Sequence, residues 1–379
     1  MMKFFVFELK RFIRSPKNKI CLGLLFSIIV GLFIVYETIY HQQSVTMSLD
    51  IAKLNLQQAQ LAVSDLEKVV EETPDDEASA LLLANAEIEY ELLSEQVTAL
   101  ENEDFQTYAD LEYQLNEIRL ETLSDEDSEE YQSLVAANRY MDAVKAAGGT
   151  PSESINQTSE SAFTTGSYML AWLSSASLFV LFTVLVADSV SHEIESSQIR
   201  FYNLVGGRTT KTFALKLLVP ILTVLGTTVV SFLVIYLLKG LLGTFGIWQY
   251  PYMTTGRMII PIWQAVLHTL ILFICALLFL ASLGQLLSLI FKKSLVVIGL
   301  IVLCLIAFMT FSREAWFQPI KPFLPFEYLG YGRLLNDVAI LPNHSFLIGI
   351  LYLCACNLIF FTISAILYKG YYQRKAGQV

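Results

Sequence analysis

Six runs of mostly apolar residues, at about 20–40, 167–187, 217–238, 262–290, 294–311 and 345–368, constrain this chain more than any other feature. About 20 apolar residues let an α-helix cross the roughly 30 Å hydrocarbon core of a bilayer. Inside that core only helices and closed barrels satisfy every backbone polar group. Composition agrees: 54% of residues are hydrophobic and 16% are charged, where about a quarter is usual for a soluble domain. The expected fold is an all-α integral membrane protein with six transmembrane helices.

The charge is divided unevenly. Between His41 and Thr165 there are 27 acidic and 5 basic residues, a net of −22, while the rest of the chain carries +12. The block 41–165 is therefore a large water-exposed insertion between the first and second spans. It repeats apolar residues at helical spacing: Leu56, Ala59, Val63, Leu66 and Val70; Leu81, Ala84, Ile88 and Leu92; Tyr108, Leu111, Leu115 and Ile118; more weakly Tyr131, Leu134, Asn138 and Met141. Breaks fall at Thr73-Pro74-Asp75-Asp76 and Leu123-Ser124-Asp125, and the block closes at Gly148-Gly149-Thr150-Pro151. Helical hairpins of coiled-coil character are expected. Asp75-Asp76-Glu77 and Asp125-Glu126-Asp127 lack the alternating ligands and glycine of a calcium loop, so they read as solvated turns with no metal.

Residues 3–14 read as an amphipathic helix within a cytoplasmic segment 1–19. Phe5, Val6, Leu9, Phe12 and Ile13 share one face; Lys3, Lys10, Arg11 and Arg14 share the other. Such a helix suits the headgroup region of an anionic leaflet, and Ser15-Pro16 ends it. Glu37, near the outer end of the first span, reads as a carboxylate snorkelling to the interface. Basic residues favour the cytoplasmic side of short segments. The N-terminus, the segment 188–216, Lys292-Lys293 and the tail hold 15 of them, against 5 in the two short loops opposite. Both termini and segment 188–216 are thus expected to be cytoplasmic and residues 41–165 extracellular, in a multi-pass cell-membrane protein.

No catalytic centre stands out. There is no G-x-x-x-x-G-K-[ST] phosphate loop, no H-E-x-x-H, no C-x-x-C and no G-x-S-x-G. Cys21, Cys275, Cys304, Cys354 and Cys356 all lie in apolar runs, so the insertion has no disulfide framework. His268 reads as a packed polar residue. Gln264, Gln285 and Asn357 read as helix–helix hydrogen-bonding groups.

The most specific polar stretch is the hinge 188–216. Asp188, Glu193 and Glu195 come early, then Ser196-Ser197-Gln198-Ile199-Arg200-Phe201, Gly206-Gly207-Arg208 and Lys216. Acidic residues early and basic ones late complement a helix dipole. Ile199, Phe201 and Leu204 would give that helix an apolar stripe. From these residues alone, docking onto a partner and lying on headgroups are equally good readings.

The layout resembles the membrane subunit of ABC-2-type exporters. A basic amphipathic helix precedes span one, a large external insertion follows, and span two leads through the hinge to four further spans. In that family the hinge resembles E-x-x-x-G-[ST]-hydrophobic followed by Arg and Lys. Glu193, Ser197, Ile199, Arg208 and Lys216 fit that pattern; Gln198 stands where the family often has a small or polar residue, and the usual glycine after the glutamate is absent. The resemblance covers the membrane parts, about two thirds of the chain, and not the acidic block.

The resemblance implies that this chain is a permease whose hinge is a coupling helix, with Glu193, Glu195, Ser197, Ile199, Arg200, Phe201, Arg208 and Lys216 meeting a separate ABC ATPase. Residues 1–14 would be the interface helix, with Phe5, Leu9, Arg11, Phe12 and Arg14 at the contact. The segment Leu324-Pro325-Phe326-Glu327-Tyr328-Leu329 resembles the family's re-entrant stretch. ATP would sit on the partner, this chain would carry no cofactor and no enzyme activity, and two permeases would pair as a homodimer or heterodimer. No nucleic-acid partner is expected. The substrate (peptide, drug, lipid or ion) is not legible, and the acidic domain admits a cationic peptide. The alternative is a non-transporting envelope protein with an extracellular coiled-coil sensor or receptor domain. An intramembrane enzyme would need convergent polar residues in the spans, and none are evident.

Overall fold

The computed structural model describes residues 2–74, 76–123, 125–149, 161–196, 210–254, 257–329 and 345–376. Helix dominates, as expected. Among the described residues five helices are long and apolar enough to cross a membrane, six if one bent pair counts as a single span.

Helix α1 (Met2–Arg14) ends at Ser15, and α2 (Pro16–Val35) follows. Proline suits the first helical position because its missing N–H would have no partner there. At about 1.5 Å per residue, the 20 residues of α2 span the hydrocarbon core. A π-helical turn, Tyr36–Tyr40, then passes without a break into α3 (His41–Glu72).

The insertion is built of α3, α4 (Glu77–Glu101), α5 (Phe105–Thr122) and α6 (Glu129–Ala146). Asp76, Asp104 and Ser128 cap α4, α5 and α6, each accepting a backbone N–H of the first turn; the breaks before α4 and α6 fall where the sequence suggests, and the one between α4 and α5 was not expected. Helices α3 and α4 pair antiparallel. Ala52 packs with Val97 and Leu100, and Lys53 meets Glu101 at 2.7 Å. The predicted face of α5 holds, with Leu111 and Leu115 buried; on α6 only Asn138 of the predicted face is buried, against Asn116 at 2.9 Å, and the other buried residues are Ala136, Tyr140 and Val144.

The predicted face of α4 does not hold. Leu81 and Ile88 are 63% and 46% exposed, and the packed residues are Leu93, Gln96, Val97 and Leu100. The reason is that α4 finds its neighbours mainly in its second half, while the hairpin tip stands alone. Met47, Leu54 and Leu61 of α3 are exposed on the same hairpin.

The second span departs from the continuous 167–187 helix that hydropathy suggests. It consists of α7 (Ala162–Met169), a 3₁₀ turn at Leu170–Ser174 and α8 (Ala176–Val186). Serine hydroxyls compete for backbone groups and weaken helix interiors, and the break sits in Ser174-Ser175-Ala176-Ser177. Eleven residues in α8 rise only about 16 Å, so α8 cannot cross alone. It bends by 49° into the short helix α9 (Ser189–Glu195).

Helix α10 (Thr210–Leu242) starts seven residues before the predicted third span, so Lys216 lies inside it rather than at its head. The loop after it carries a two-stranded antiparallel hairpin, β1 (Pro251–Met253) with β2 (Ile259–Pro261), a small exception to the all-α expectation. Helices α11 (Ile262–Phe291) and α12 (Ser294–Phe311) match their predicted spans, and α13 (Ser345–Ala376) runs past its predicted end at 368. Lys292, left-handed at φ 59°, makes the turn between α11 and α12. Three 3₁₀ turns, Ala315–Phe317, Lys321–Phe323 and Pro325–Leu329, precede α13.

Helix α11 is the axis of the bundle, with 56% of its apolar window buried against 11% for α13. Phe273, Ala276 and Leu280 of α11 pack with Leu25 and Ile29 of α2, Phe182 and Leu185 of α8, Val224 of α10 and Ile301 of α12. A Cβ on Gly284 would stand 2.4 Å from the Ala187 backbone, so glycine lets α11 touch the bend before α9. The insertion is anchored at the far end, where Tyr140 and Val144 of α6 pack on Tyr250 and Ile262.

Candidate functional site

Lys216 and Lys239 stand 23 positions apart on α10, about 35 Å along its axis. Each marks one end of the bundle, and each is held by a carboxylate. At the hinge end Lys216 donates to Glu193 of α9. Arg11 of α1 donates to the other carboxylate oxygen of Glu193 and reaches Glu8 at 2.8 Å. Glu193 and Lys216 side chains are each 1% exposed. Beside them Lys17 holds Asp188 at 2.6 Å and the Val184 carbonyl at 2.9 Å. Three segments far apart in sequence (the N-terminal helix, the α8–α9 bend and the start of α10) meet on this cluster.

The cluster is close to neutral, with Glu8 and Glu193 set against Arg11 and Lys216. That balance is what allows charge to be buried: a lone ion in such a place costs several kcal/mol, and pairing offsets the cost only when geometry is good. Arginine can donate to two carboxylates from one planar group, which is how Arg11 bridges Glu8 and Glu193.

The hinge and α1 residues singled out in sequence divide in four. Glu193, Lys216 and Arg11 converge on the cluster, Glu193 and Lys216 buried and Arg11 30% exposed. Phe5, Leu9 and Phe12 are half-buried, with Arg14 exposed. Glu195 is exposed, as are His192 and Ser196 beside it. Ser197, Ile199, Arg200, Phe201 and Arg208 lie outside the described residues. The buried face of α1 is also rotated from the predicted one: Val6 and Ile13 are 40% and 42% exposed, while Glu8 is 2% exposed. The ion cluster, rather than the apolar residues alone, orients the helix.

Sequence reasoning passed over Glu8, Lys17 and Asn18. The available signal for Glu8 was its solitude as the one carboxylate in a basic helix, at the edge of its apolar face. Asn18 is 7% exposed; its Nδ2 donates to the Phe12 carbonyl at 3.0 Å and its Oδ1 is buried without a partner. It lines a cleft of about 520 Å³ between α1, the start of α2 and α9.

At the other end Glu37 has a partner that the sequence did not show. It accepts from Lys239, which is 7% exposed. The π turn at 36–40 inserts an extra residue into the helical register and turns Glu37 toward α10. Glu327 and Lys321 form a third buried pair at 3.5 Å. In the same segment Leu324–Leu329, Phe326 meets Phe279 of α11 and Tyr328 stacks on Tyr352 of α13. Gln285 donates to the Phe213 carbonyl, and Asn357 joins Ser282 and the Cys275 carbonyl, so both act as the expected interhelical bonds. His268 stacks on Phe346 at 3.9 Å.

No family model, no curated protein and no solved structure matches the chain. The functional reading therefore stands on the geometry of the cluster and on the layout of the sequence.

Proposed function

We propose that this chain is the membrane subunit of an ATP-driven ABC exporter, acting with a separate ATPase and with a second permease. The observation that supports this reading most is the Glu193 cluster. An ATPase pushing on α1 or on the exposed edge of α9 at His192, Glu195 and Ser196 needs a stiff link to the spans. Glu193 supplies one, since it holds Arg11 of α1 and Lys216 of α10, and Gly284 seats the same bend on α11. A conformational change is transmitted only if the pusher binds the two states differently, and a rigid buried cluster turns that difference into movement of α10 and α11. In this mechanism Glu193, Arg11 and Lys216 position the hinge, and Glu195 faces the ATPase. Both termini and the hinge are cytoplasmic, and the acidic insertion is outside.

The test is to isolate the tagged full chain from its native cell in mild detergent. A stoichiometric ABC ATPase should co-purify, and Glu195→Lys or removal of residues 1–14 should release it while the permease stays folded. The chain emerging alone, while a control exporter keeps its ATPase, would overturn the proposal. The exposed apolar tip of the α3–α4 hairpin, with Leu61 66% and Leu81 63% exposed, favours a second reading, an envelope protein that senses or receives a ligand through that hairpin. Recovery with a surface partner in place of an ATPase would select it.

A further inference from the structure

The cleft beside the ion cluster contains more positive charge than the cluster uses. Arg11 is committed to Glu8 and Glu193, and Lys17 to Asp188. Lys10 and Arg14 also line the cleft, and both side chains are exposed. The cleft further opens on the first turn of α2. There Lys17 and Asn18 follow Pro16, so their N–H groups have no helical carbonyl to bond, and Ser15 provides no side-chain cap. A helix start with adjacent cations is suited to a phosphate.

Two further observations narrow the ligand. Asn18, one of the cleft's lining residues, is 93% buried with an unpartnered Oδ1, while its Nδ2 is held by the Phe12 carbonyl. A buried acceptor of this kind calls for a donor, because leaving it unbonded is costly. The site also lies where α2 enters its apolar span, with Phe7 on its wall and 46% exposed. A ligand seated here has its phosphate at headgroup level and its apolar part alongside Phe7, Val6 and Ile13.

We propose that this cleft binds the headgroup of an anionic glycerophospholipid from the cytoplasmic leaflet, with the phosphate between Lys10, Arg14 and the α2 start and a headgroup hydroxyl donating to Asn18. The bound lipid would join α1 to the α8–α9 bend, over the Glu193 cluster. This inference rests on the membrane-spanning helices and on the cytoplasmic placement of α1, and it stands whether or not an ATPase binds.

The test uses the full chain, delipidated in detergent and titrated with phosphatidylglycerol under native mass spectrometry. Phosphatidylmethanol, which has the phosphate but no headgroup hydroxyl, is the comparison lipid. One phosphatidylglycerol should be retained per chain, more tightly than phosphatidylmethanol. Lys10→Ala with Arg14→Ala should weaken retention about tenfold or more. Lys3→Ala with Lys19→Ala, an equal charge change on exposed residues outside the cleft, should change it about twofold or less. Asn18→Ala should erase the preference between the two lipids.

Both lysine/arginine pairs are on the surface and leave the Glu193 cluster intact, so unchanged thermal midpoints separate lost binding from lost folding. Equal weakening by the two pairs would overturn the site in favour of general surface attraction. Displacement of the lipid by millimolar inorganic phosphate would overturn the lipid assignment in favour of a free phosphate. Failure of the wild-type chain to retain lipid would overturn both.

Discussion

The hinge end of the membrane bundle and the helical insertion use the same ion pairs in opposite surroundings. Lys216 and Glu193 are each 1% exposed, whereas Lys53 and Glu101 in the insertion are 47% and 49% exposed, and Lys145 and Asp110 are 45% and 44%. In water such a pair exchanges one good solvation for another and contributes at most about 1 kcal/mol. Inside the bundle neither partner can return to water, so each depends on the other. The insertion can lose a pair and keep its shape. The hinge end cannot, and that dependence makes it suited to passing on a displacement.

The largest effect should come from breaking the buried pair on one side only. Lys216→Ala leaves Glu193 facing Arg11 and Glu8 with one cation gone, and it should cost about 3–5 kcal/mol. The readout is the thermal midpoint of the purified chain, followed through its four tryptophans. Lys216→Met combined with Glu193→Gln removes both charges and should restore most of the loss. If the double variant is as damaged as the single one, packing rather than charge holds the hinge.

A smaller effect should follow in the buried polar contact between α5 and α6. Asn116 and Asn138 are 2% and 8% exposed and bond at 2.9 Å. Asn138→Ala leaves the Asn116 amide unpaired, at about 1–3 kcal/mol. Hydrogen exchange in α5 and α6 should rise while the spans keep their protection. Loss of protection in the spans as well would mean that the insertion and the bundle unfold together.

These two cases also mark what could be read in advance. The spans were legible because a bilayer demands long apolar helices, and α11 and α12 begin and end within a residue of expectation. The N-terminal helix was legible as well. Its orientation was not, because Arg11 finds Glu193, 182 positions away, and no local pattern shows such a partner. The break at Ser175 was hidden inside an apolar average.

The face of α4 was misread for a related reason. Leu81 and Ile88 keep perfect helical spacing, yet they stay 63% and 46% exposed. Periodicity shows which residues share a face, and only tertiary neighbours decide whether that face is covered. At the candidate site, Glu193 and Lys216 were legible from their places at the ends of apolar runs, but as contacts to a partner. The structure adds that they are buried against each other, which no local pattern shows.

Salt should separate the two regions further. Lys53→Ala or Lys145→Ala should change stability by about 1 kcal/mol or less, and by less still at high ionic strength, where exposed charges are screened. Lys216→Ala should be nearly insensitive to salt, since ions do not reach a buried pair. Equal salt sensitivity in the thermal midpoints would remove the distinction between the ends of the molecule.

The smallest effect is that of pH on the insertion. The hydrogen bond from Lys145 holds the Asp110 carboxyl below its ordinary value, and the same bond raises Lys145. Asp76 and Asp104 are lowered by the hydroxyls and backbone N–H groups they cap. A carboxylate lowered on folding contributes stability that is complete above its unfolded pKa, about 3.9, and is lost as pH falls through the folded value. A raised lysine contributes fully below its unfolded pKa, about 10.4, and loses the contribution as pH rises through its folded value. The Asp110–Lys145 pair is therefore in force across the whole range from about pH 4 to about pH 10. Protection of the first turns of α4 and α5, corrected for intrinsic exchange, should be flat from pH 7 to pH 5 and fall only below about pH 4. Asp76→Asn with Asp104→Asn should abolish the acid-side fall, because an amide still accepts a cap bond but does not titrate. A decline that begins near pH 6 would point instead to a histidine, and the insertion's one histidine, His41, stands at its very start.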